Sequence, residues 1–280
     1  MNRSRKFAGF RSDFKDAEYV LAGVPFDKTS SFRTGARKGP YEIRDASYCF
    51  EPYIYEHGVS IDEFELCDRG NLEEYDDFED LRRKIEELTD EIVDEGKFPI
   101  FLGGEHSVTV PVVTSFEEIY PDLDVLVLDA HLDFRDSYER LKYSHATVSK
   151  RISEIVGLEN IYIGGVRSIS AEGDDKEKPD IWTAEQLNKS GNDLKENVER
   201  PIYLSLDMDV FDPAFAPGVG NPEPFGLTSH TVKELISEIA PSLVGMDIVE
   251  TNPEYDHGEI TSNLAARLVY EVIGKREKKK

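Results

Sequence analysis

The sequence predicts an α/β protein with a mainly parallel central sheet, because short apolar runs alternate along the chain with segments of helical periodicity. The apolar runs are rich in β-branched residues and continuous rather than alternating in polarity, which is typical of strands covered on both faces. No repeat, low-complexity linker or composition boundary divides the 280 residues. We therefore expect residues 1–280 to form one doubly wound domain, a size that buries a large core.

Six apolar runs closed by Gly, Asp or Pro are predicted as strands: Tyr19–Val24, Pro99–Leu102, Leu123–Leu128, Asn160–Ile163, Ile202–Leu206 and Leu243–Val249. Three helices are predicted from apolar side chains spaced three or four residues apart, over Phe78–Ile92, Val232–Ile239 and Ile260–Val272. The first of these ends before Gly96, a common helix terminator. The acidic stretch Glu172–Asp180 is predicted as a surface loop.

The charge balance excludes several classes of function. Asp and Glu number 57 against 33 Lys and Arg, which gives a formal net charge of −24. A nucleic-acid partner is not expected, since phosphate binding needs a basic face and the one basic cluster, Lys275–Lys280, is predicted to be a solvated helix end. With 39% hydrophobic and 10% aromatic residues, the chain is too apolar to be disordered.

The sequence also predicts a cytoplasmic protein without a membrane partner. No stretch approaches the ~18 consecutive apolar residues of a membrane span, and Met1–Asp16 has no signal-peptide core. The two cysteines, Cys49 and Cys67, are too few for a disulfide framework and lack the spacing of metal ligands. We expect both to be buried, reduced thiols.

Ionisable residues follow three of the predicted strands directly, in Gly103–Ser107 (GGEHS), Asp129–Asp133 (DAHLD) and Asp207–Asp209 (DMD). Because ligands of an open parallel sheet bind outside the carboxyl ends of the strands, these segments should converge on one crevice. They would bring together two histidines and four aspartates, namely His106, Asp129, His131, Asp133, Asp207 and Asp209. So many carboxylates repel one another unless a cation compensates them, and the sequence therefore predicts a metal site.

Each segment alone also has a purely structural interpretation: Gly-Gly-x-His is often a turn into a helix, and Asp207 or Asp209 could cap one. Their joint occurrence at equivalent positions favours the metal. Carboxylates with a minority of imidazoles and no thiolate favour Mn²⁺ before Zn²⁺, with Fe²⁺ and Co²⁺ still open. Six ligands are too many for one ion with an open position, so we expect two ions ~3.5–4 Å apart that share bridging carboxylates.

These segments resemble the ureohydrolase family, the arginase and agmatinase group of binuclear manganese hydrolases. The resemblance extends through Phe32–Arg44, Ser144–Thr147, Gly165–Ser168, Ser205–Gly218 and Gly245–Pro253, and so covers nearly the whole chain. It implies a single three-layer α/β/α domain of the arginase and deacetylase type, commonly assembled into trimers or hexamers.

The resemblance also implies roles for individual residues. One Mn²⁺ would be bound by His106, Asp129, Asp133 and Asp207, and the other by Asp129, His131, Asp207 and Asp209. A hydroxide bridging the ions would then attack the guanidinium carbon of a small cationic substrate. His145 matches a proton-shuttling histidine, and Glu250 matches a carboxylate that faces the guanidinium group. Without the resemblance, His145 could be a surface-loop residue and Glu250 the cap of a strand end.

The substrate expected from the resemblance is agmatine, hydrolysed to putrescine and urea. Arg135 stands where arginases carry an asparagine that reads the amino-acid end of arginine, which disfavours arginine. Agmatine ends in an ammonium group, and Asp136 and Glu139 are candidates for an acidic rim that binds it. If Arg135 points into the site, a guanidino acid such as guanidinobutyrate becomes the better candidate.

Three residues depart from the usual agmatinase pattern: Glu105, Ala146 and Phe225 replace Asp, Gly and Gly. Glu105 is expected to alter only the hydrogen bonding around His106. The other two adjoin the expected pocket mouth, which leaves aminopropylagmatine open as a substrate. A catalytically inactive regulatory homologue is disfavoured because every expected ligand is present, and a single-zinc deacetylase would not need six of them.

Overall fold

The chain is built around a sheet of eight strands in which every pairing is parallel. A computed structural model describes residues 5–170, 177–190 and 200–277. In chain order the strands are β1 (Tyr19–Val24), β2 (Tyr53–Ile54), β3 (Val59–Ser60), β4 (Leu66–Asn71), β5 (Phe98–Gly103), β6 (Asp124–Leu128), β7 (Ile161–Val166), β8 (Asp180–Thr183), β9 (Ile202–Asp207) and β10 (Leu243–Val249). Strands β2 and β3 form a separate antiparallel pair, and the others follow the order β4-β1-β5-β10-β9-β6-β7-β8.

Helices cover both faces of this sheet, so the domain has the three layers that the sequence predicts. The helices are α1 (Gly39–Ala46), α2 (Phe78–Asp94), α3 (Thr109–Ile119), α4 (Val148–Val156), α5 (Ala184–Ser190), α6 (Ser229–Ile239) and α7 (Ile260–Arg276). Alternate side chains of a strand point to opposite faces. In β1, Tyr19 and Leu21 belong to the core that contains side chains of α1, α5, α6 and α7. Val20 and Ala22 belong to the core that contains side chains of α2, α3 and α4.

All six predicted strands are present, and two more lie at the edges of the sheet. The end of β7 extends furthest beyond its prediction, through Gly164-Gly165 to Val166. The edge strands β4 and β8 are not predicted from the sequence because neither is a continuous apolar run. Of the predicted surface loop Glu172–Asp180, residues 172–176 lie outside the described residues, and Asp180 instead begins β8.

The three predicted helices correspond to α2, α6 and α7, whereas α1, α3, α4 and α5 were not predicted. Helix α3 shows why: Val110, Val112, Val113 and Phe116 are all buried, so apolar residues do not mark a single face. Lys275 and Arg276 lie in the last turn of α7, and residues 278–280 of the predicted basic helix end lie outside the described residues.

Helices α2 and α7 are each 17 residues long. Ion pairs between residues four apart, such as Arg82 with Glu86 and Arg83 with Glu87, line the outer side of α2. Within the three described ranges, no helix is both long enough and apolar enough to cross a lipid bilayer.

The strand order determines where a functional site can form. Strands β5, β10, β9 and β6 are consecutive neighbours in the middle of the sheet. Their parallel pairing places all four carboxyl ends at one edge of the sheet. The residues that follow these four strands therefore come together, although those after β5 and those after β10 are more than a hundred positions apart in the sequence.

A buried ion pair fixes α1 to the edge strand β4. Arg44 Nε lies 2.8 Å from Asp68 Oδ2, and Arg44 Nη2 lies 2.9 Å from Asp68 Oδ1, so the contact is bidentate. The two side chains are 5% and 0% exposed. Burial alone would raise the pKa of Asp68, but the hydrogen bonds and charge of Arg44 outweigh it and hold that pKa below its usual range.

Replacing Arg44 with Met should therefore lower the free energy of unfolding by about 3–5 kcal/mol, because it leaves the Asp68 carboxylate buried without its cation. The matched control is Arg69→Met, which removes an exposed ion pair with Glu91 from the same strand and should cost under about 1 kcal/mol. Urea denaturation followed by circular dichroism measures both values. Equal losses in the two variants would contradict this account.

Candidate metal centre

The six ligand candidates of the sequence lie together at the carboxyl edge of the sheet. His106 begins a short 3₁₀ turn after β5, and Asp207 is the last residue of β9. Asp129 follows β6 directly, and the chain then passes through His131 and Asp133. Asp209 lies in a 3₁₀ turn whose first backbone N–H groups are capped by the Asp207 side chain. The sequence prediction that these segments converge is confirmed.

The first group of ligand atoms surrounds the ring of His106. Its Nδ1 atom lies 3.1 Å from Asp129 Oδ2, 3.2 Å from Asp207 Oδ2 and 3.8 Å from Asp133 Oδ2. Candidate ligand atoms of His106, Asp129 and Asp133 all lie within 4.8 Å of one another, as is required of atoms that share one ion. Asp207 offers Oδ2 to this group, while its Oδ1 accepts the backbone N–H of Asp209.

The second group surrounds the ring of His131. Its Nδ1 atom lies 2.9 Å from Asp209 Oδ2 and 3.5 Å from Asp129 Oδ1. Ligand atoms of Asp129, His131 and Asp209 again lie within 4.8 Å of one another. The two oxygens of Asp129 thus face different histidines, and this carboxylate belongs to both groups.

The hydrogen bonds behind His106 show that the first group fits a cation. Ser205 Oγ lies 3.0 Å from His106 Nε2 and donates its own proton to Asp247 Oδ1 at 2.7 Å. Nε2 is therefore the donor toward Ser205, and the lone pair of a neutral ring is left on Nδ1. His106 Nδ1 and Asp129 Oδ2 are both buried and have no hydrogen-bond partner among the described residues. A divalent ion between them would satisfy both atoms.

The pKa values of the cluster also indicate that it fits a cation. Burial opposes charge on His106, but the carboxylates of Asp129 and Asp207 outweigh it and raise the pKa of His106 well above its usual value. Burial and the charges of neighbouring aspartates raise the pKa values of Asp133 and Asp207. Without an added cation, the cluster therefore holds extra protons. A bound metal ion would replace those protons.

Strained backbone occurs at three of the candidate site residues: Asp133 and Glu250 at the cluster, and Glu139 on the exposed loop, where φ is +49°. Asp133 and Glu250 have φ angles of +46° and +60°, in the left-handed region that favours glycine. Such conformations cost roughly 1–3 kcal/mol each and cluster at functional sites. Gly104, two residues before His106, is required for a different reason: a Cβ there would lie 1.9 Å from the carbonyl oxygen of Phe26.

Glu250 and His145 flank the cluster, as the sequence predicts. Glu250 follows β10, and its Oε1 accepts the backbone N–H of His106 at 2.9 Å. Burial and the nearby charge of Glu105 raise the pKa of Glu250 to about 8. His145 lies at the start of a 3₁₀ turn, and burial lowers its pKa to about 4. The raised pKa means that the ionised form of Glu250 is not stabilised by a cation. The lowered pKa keeps His145 a neutral base.

A cavity of about 170 Å³ opens onto the cluster. Its walls include His106, His131, Asp133, Asp207, Asp209, Glu250, His145, Ala146, Arg135 and Tyr138. Asp136 and Glu139 are exposed on the loop that carries Arg135, and they are not among the described residues that line the cavity. Phe225, expected at the pocket mouth, is 87% exposed and also lies outside the described cavity walls.

Several supporting residues could not be found by motif spacing. His131 Nε2 lies 3.1 Å from Asn221 Nδ2 and 3.6 Å from Glu223 Oε1, both in the loop after β9. Arg167, after β7, donates to the carbonyl oxygens of Asp209 and Glu223, each at 2.7 Å, and so ties this loop to the cluster. In the sequence, Arg167 belongs to Gly165–Ser168, a segment that shows the family resemblance. The resemblance implies no role for this arginine.

Fold and site together define an α/β protein with a cluster of histidines and aspartates that could hold a metal at the carboxyl edge of its sheet. The sequence matches the arginase family over residues 17–274, and the chain belongs to that family. An agmatinase of Bacillus subtilis is 36% identical over 274 residues, which cover 95% of this chain and 94% of the relative.

Two further relatives are named for two different substrates. The N(1)-aminopropylagmatine ureohydrolase of Thermococcus kodakarensis is 36% identical over 269 residues, covering 92% of this chain and 90% of the relative. The crystal structure of the agmatine ureohydrolase of Thermoplasma volcanium superimposes with a TM-score of 0.92 at 39% identity, covering 98% of this chain and 94% of that one. Family membership therefore rests on both sequence and fold.

Because Asp129 belongs to both groups of ligand atoms, its substitution should affect metal binding differently from substitution of Asp209. Asp129→Asn should weaken binding at both groups, whereas Asp209→Asn should weaken it at the second group alone. Isothermal titration of the metal-free protein with Mn²⁺ measures the stoichiometry and affinities. The account is wrong if Asp129→Asn and Asp209→Asn lose the same single binding event.

Proposed function

We propose that the protein is an agmatinase, which hydrolyses the guanidinium group of agmatine to give putrescine and urea. The observation that carries the proposal is that five of the six candidate ligands, all except the fully buried Asp129, line one cavity together with Glu250 and His145. A guanidinium group and a hydrolytic centre would then meet in the same space. The curated relative from Bacillus subtilis, named agmatinase, supports this choice of substrate.

We propose two Mn²⁺ ions as the cofactors. His106, Asp129, Asp133 and Asp207 would hold the first ion, and Asp129, His131, Asp207 and Asp209 would hold the second. The donor set of carboxylates with two imidazoles and no thiolate suits Mn²⁺. When bound, the ions would supply Lewis acidity, which lowers the pKa of water enough for nucleophilic chemistry at neutral pH.

Glu250 would bind and orient the guanidinium group. Its pKa of about 8 reflects burial and the negative charge of Glu105, so the ionised carboxylate is unfavourable until a cation arrives. A guanidinium group provides that cation and presents two parallel N–H donors. The backbone N–H of His106 holds Glu250 Oε1 at 2.9 Å, which fixes the direction of the carboxylate relative to the metal ligands.

His145 would move the proton that the leaving amine needs. Because burial lowers its pKa to about 4, the ring is neutral at physiological pH and accepts a proton only transiently. The resulting imidazolium is a strong enough acid to pass the proton on to an amine. His145 Nε2 lies 3.2 Å from Ser31 Oγ, a residue of the cavity wall, so this nitrogen is on the cavity side of the ring.

One observation favours a second candidate, a guanidino acid. Arg135 lines the cavity, and its guanidinium carbon lies 5.3 Å from the centre of the Tyr138 ring. A cation in the wall would suit a substrate whose far end is a carboxylate, whereas agmatine carries an ammonium there. The experiment below distinguishes the two candidates.

The protein loaded with Mn²⁺ should release urea from agmatine with a higher kcat/KM than from guanidinobutyrate, aminopropylagmatine or arginine. A colorimetric urea assay over a concentration series of each compound measures the four values. Asp207→Ala is the control for metal dependence, since it removes a ligand proposed for both ions, and it should abolish turnover. If no guanidine yields urea from metal-loaded protein, the proposal fails.

The acidic rim proposed at Asp136 and Glu139 has its own test. Asp136→Asn and Glu139→Gln should each raise the KM for agmatine by about 3- to 10-fold if the carboxylate attracts the ammonium group, with kcat unchanged. Glu118→Gln, an exposed change on α3, serves as the matched control. An unchanged KM in both rim variants would show that neither residue contacts the substrate.

A cytoplasmic location and assembly into a trimer or hexamer stay predictions from the sequence and the family resemblance. Size-exclusion chromatography with light scattering would measure the oligomeric state directly.

A further inference from the structure

We propose that Glu105 is a positioning residue for His145, and that it acts through the hydroxyl group of Thr29. The proposal rests on the proposed function, in which His145 transfers a proton, and it adds what holds the imidazole in place. From its place beside His106 in the sequence, Glu105 is expected to affect the hydrogen bonds around that residue. The hydrogen bonds of its side chain lead instead toward His145.

The carboxylate of Glu105 is fully buried and is held by groups of the loop after β1. Oε2 accepts the backbone N–H of Thr29 at 2.7 Å, and Oε1 accepts the Thr29 hydroxyl at 2.5 Å. Ser107 Oγ also donates to Oε1, at 2.7 Å. The bond to Oε2 fixes the backbone of Thr29, and the bond from its hydroxyl to Oε1 fixes its side chain. A buried carboxylate is costly unless its acceptors are satisfied, so this arrangement strongly favours one position of Thr29.

Thr29 in turn contacts His145 at two points. Its Oγ1 accepts the backbone N–H of His145 at 3.1 Å and lies 3.5 Å from the ring Nδ1. The next residues of the same loop reach the other side of the ring, where Ser31 Oγ lies 3.2 Å from Nε2. Ser144 Oγ also lies 3.5 Å from Nδ1. The edge of the Tyr138 ring contacts the imidazole, with 5.4 Å between ring centres.

The direction of these bonds determines which nitrogen of His145 carries the proton. A hydroxyl group has one proton, and Thr29 gives its proton to Glu105. Thr29 Oγ1 can therefore only accept from His145, which favours a proton on Nδ1. Nε2 then keeps the lone pair on the side of Ser31 and the cavity. This is the tautomer that can take a proton from a reacting group.

The remainder of the loop is fixed independently of Glu105. Asp27 Oδ2 accepts the backbone N–H of Gly35 at 2.8 Å, which closes the loop at its base. Asn252 Nδ2 donates to the carbonyl oxygen of Arg33 at 3.1 Å. Loss of the contact between Glu105 and Thr29 should consequently release the part of the loop beside His145 without unfolding the rest.

Side-chain length provides the first test. Aspartate is shorter than glutamate by one methylene group, about 1.5 Å, so Glu105→Asp keeps the charge but cannot reach both Thr29 donors. Thr29→Val removes the hydroxyl at nearly constant volume, and Thr29→Ser retains it. Thr114→Val is the matched control, because Thr114 Oγ1 donates to the carbonyl oxygen of Val110 on α3, away from the cavity.

We expect Glu105→Asp and Thr29→Val to lower kcat for agmatine about 10-fold or more with KM unchanged, since proton transfer contributes at least this much. Mn²⁺ content should equal that of the wild type in both variants, Thr29→Ser should recover most of the rate, and Thr114→Val should behave as wild type. In a His145→Asn background, Thr29→Val should cause no further loss. An additive loss in that background, or loss of bound Mn²⁺, would overturn the proposal.

Nitrogen-15 NMR of the His145 ring in metal-free protein separates this proposal from the proposed function, because it needs no turnover. The wild type should show the Nδ1-protonated tautomer, and Thr29→Val should shift the signals toward a mixture of the two neutral forms. Unchanged ring signals in Thr29→Val would overturn the positioning role whether or not the protein releases urea. Shifted signals in a protein that hydrolyses no guanidine would refute the proposed function alone.

Discussion

The rest of the structure depends on the mutual repulsion of carboxylates at one edge of the sheet. Asp129, Asp133 and Asp207 all direct an oxygen at a single imidazole nitrogen of His106, within 3.8 Å. Such a cluster opposes folding unless positive charge is added. A chain with a net charge of −24 has little positive charge to spare, so a metal ion is the natural counterion. Glu250 is likewise buried beside a negative charge, that of Glu105, and its pKa is raised.

Rigidity around the cluster comes from side chains that are not themselves candidate ligands. Ser205 and Asp247 lie on the neighbouring strands β9 and β10, and together they fix the ring of His106 from behind. Arg167 does the equivalent for the loop of Asp209 through its bonds to backbone carbonyl oxygens. A metal centre whose ligands already have fixed orientations needs little rearrangement when the ion binds.

Most of the fold and the ligand cluster could be predicted from sequence, because both follow from short-range patterns. Continuous apolar runs predict the central strands, and the polar residues directly after them predict the cluster of candidate ligands. Edge strands such as β4 lack that apolar signal, and the all-round burial of α3 removes helical periodicity. The supporting contacts join residues far apart in sequence, as between Thr29 and His145, and no local pattern encodes such a pairing. For the same reason, the sequence does not reveal that the Glu105 side chain bonds to Thr29.

The left-handed backbone at Asp133 and Glu250 sets a limit on how far this protein can be stabilised without harm. Glycine adopts that conformation with no steric penalty, so for stability alone it is the better residue at both positions. A directed-evolution screen that selects only for thermal resistance would thus reward glycine at both positions, although these substitutions remove a candidate ligand and the candidate guanidinium anchor. Selection for heat tolerance and selection for turnover oppose each other at these two positions.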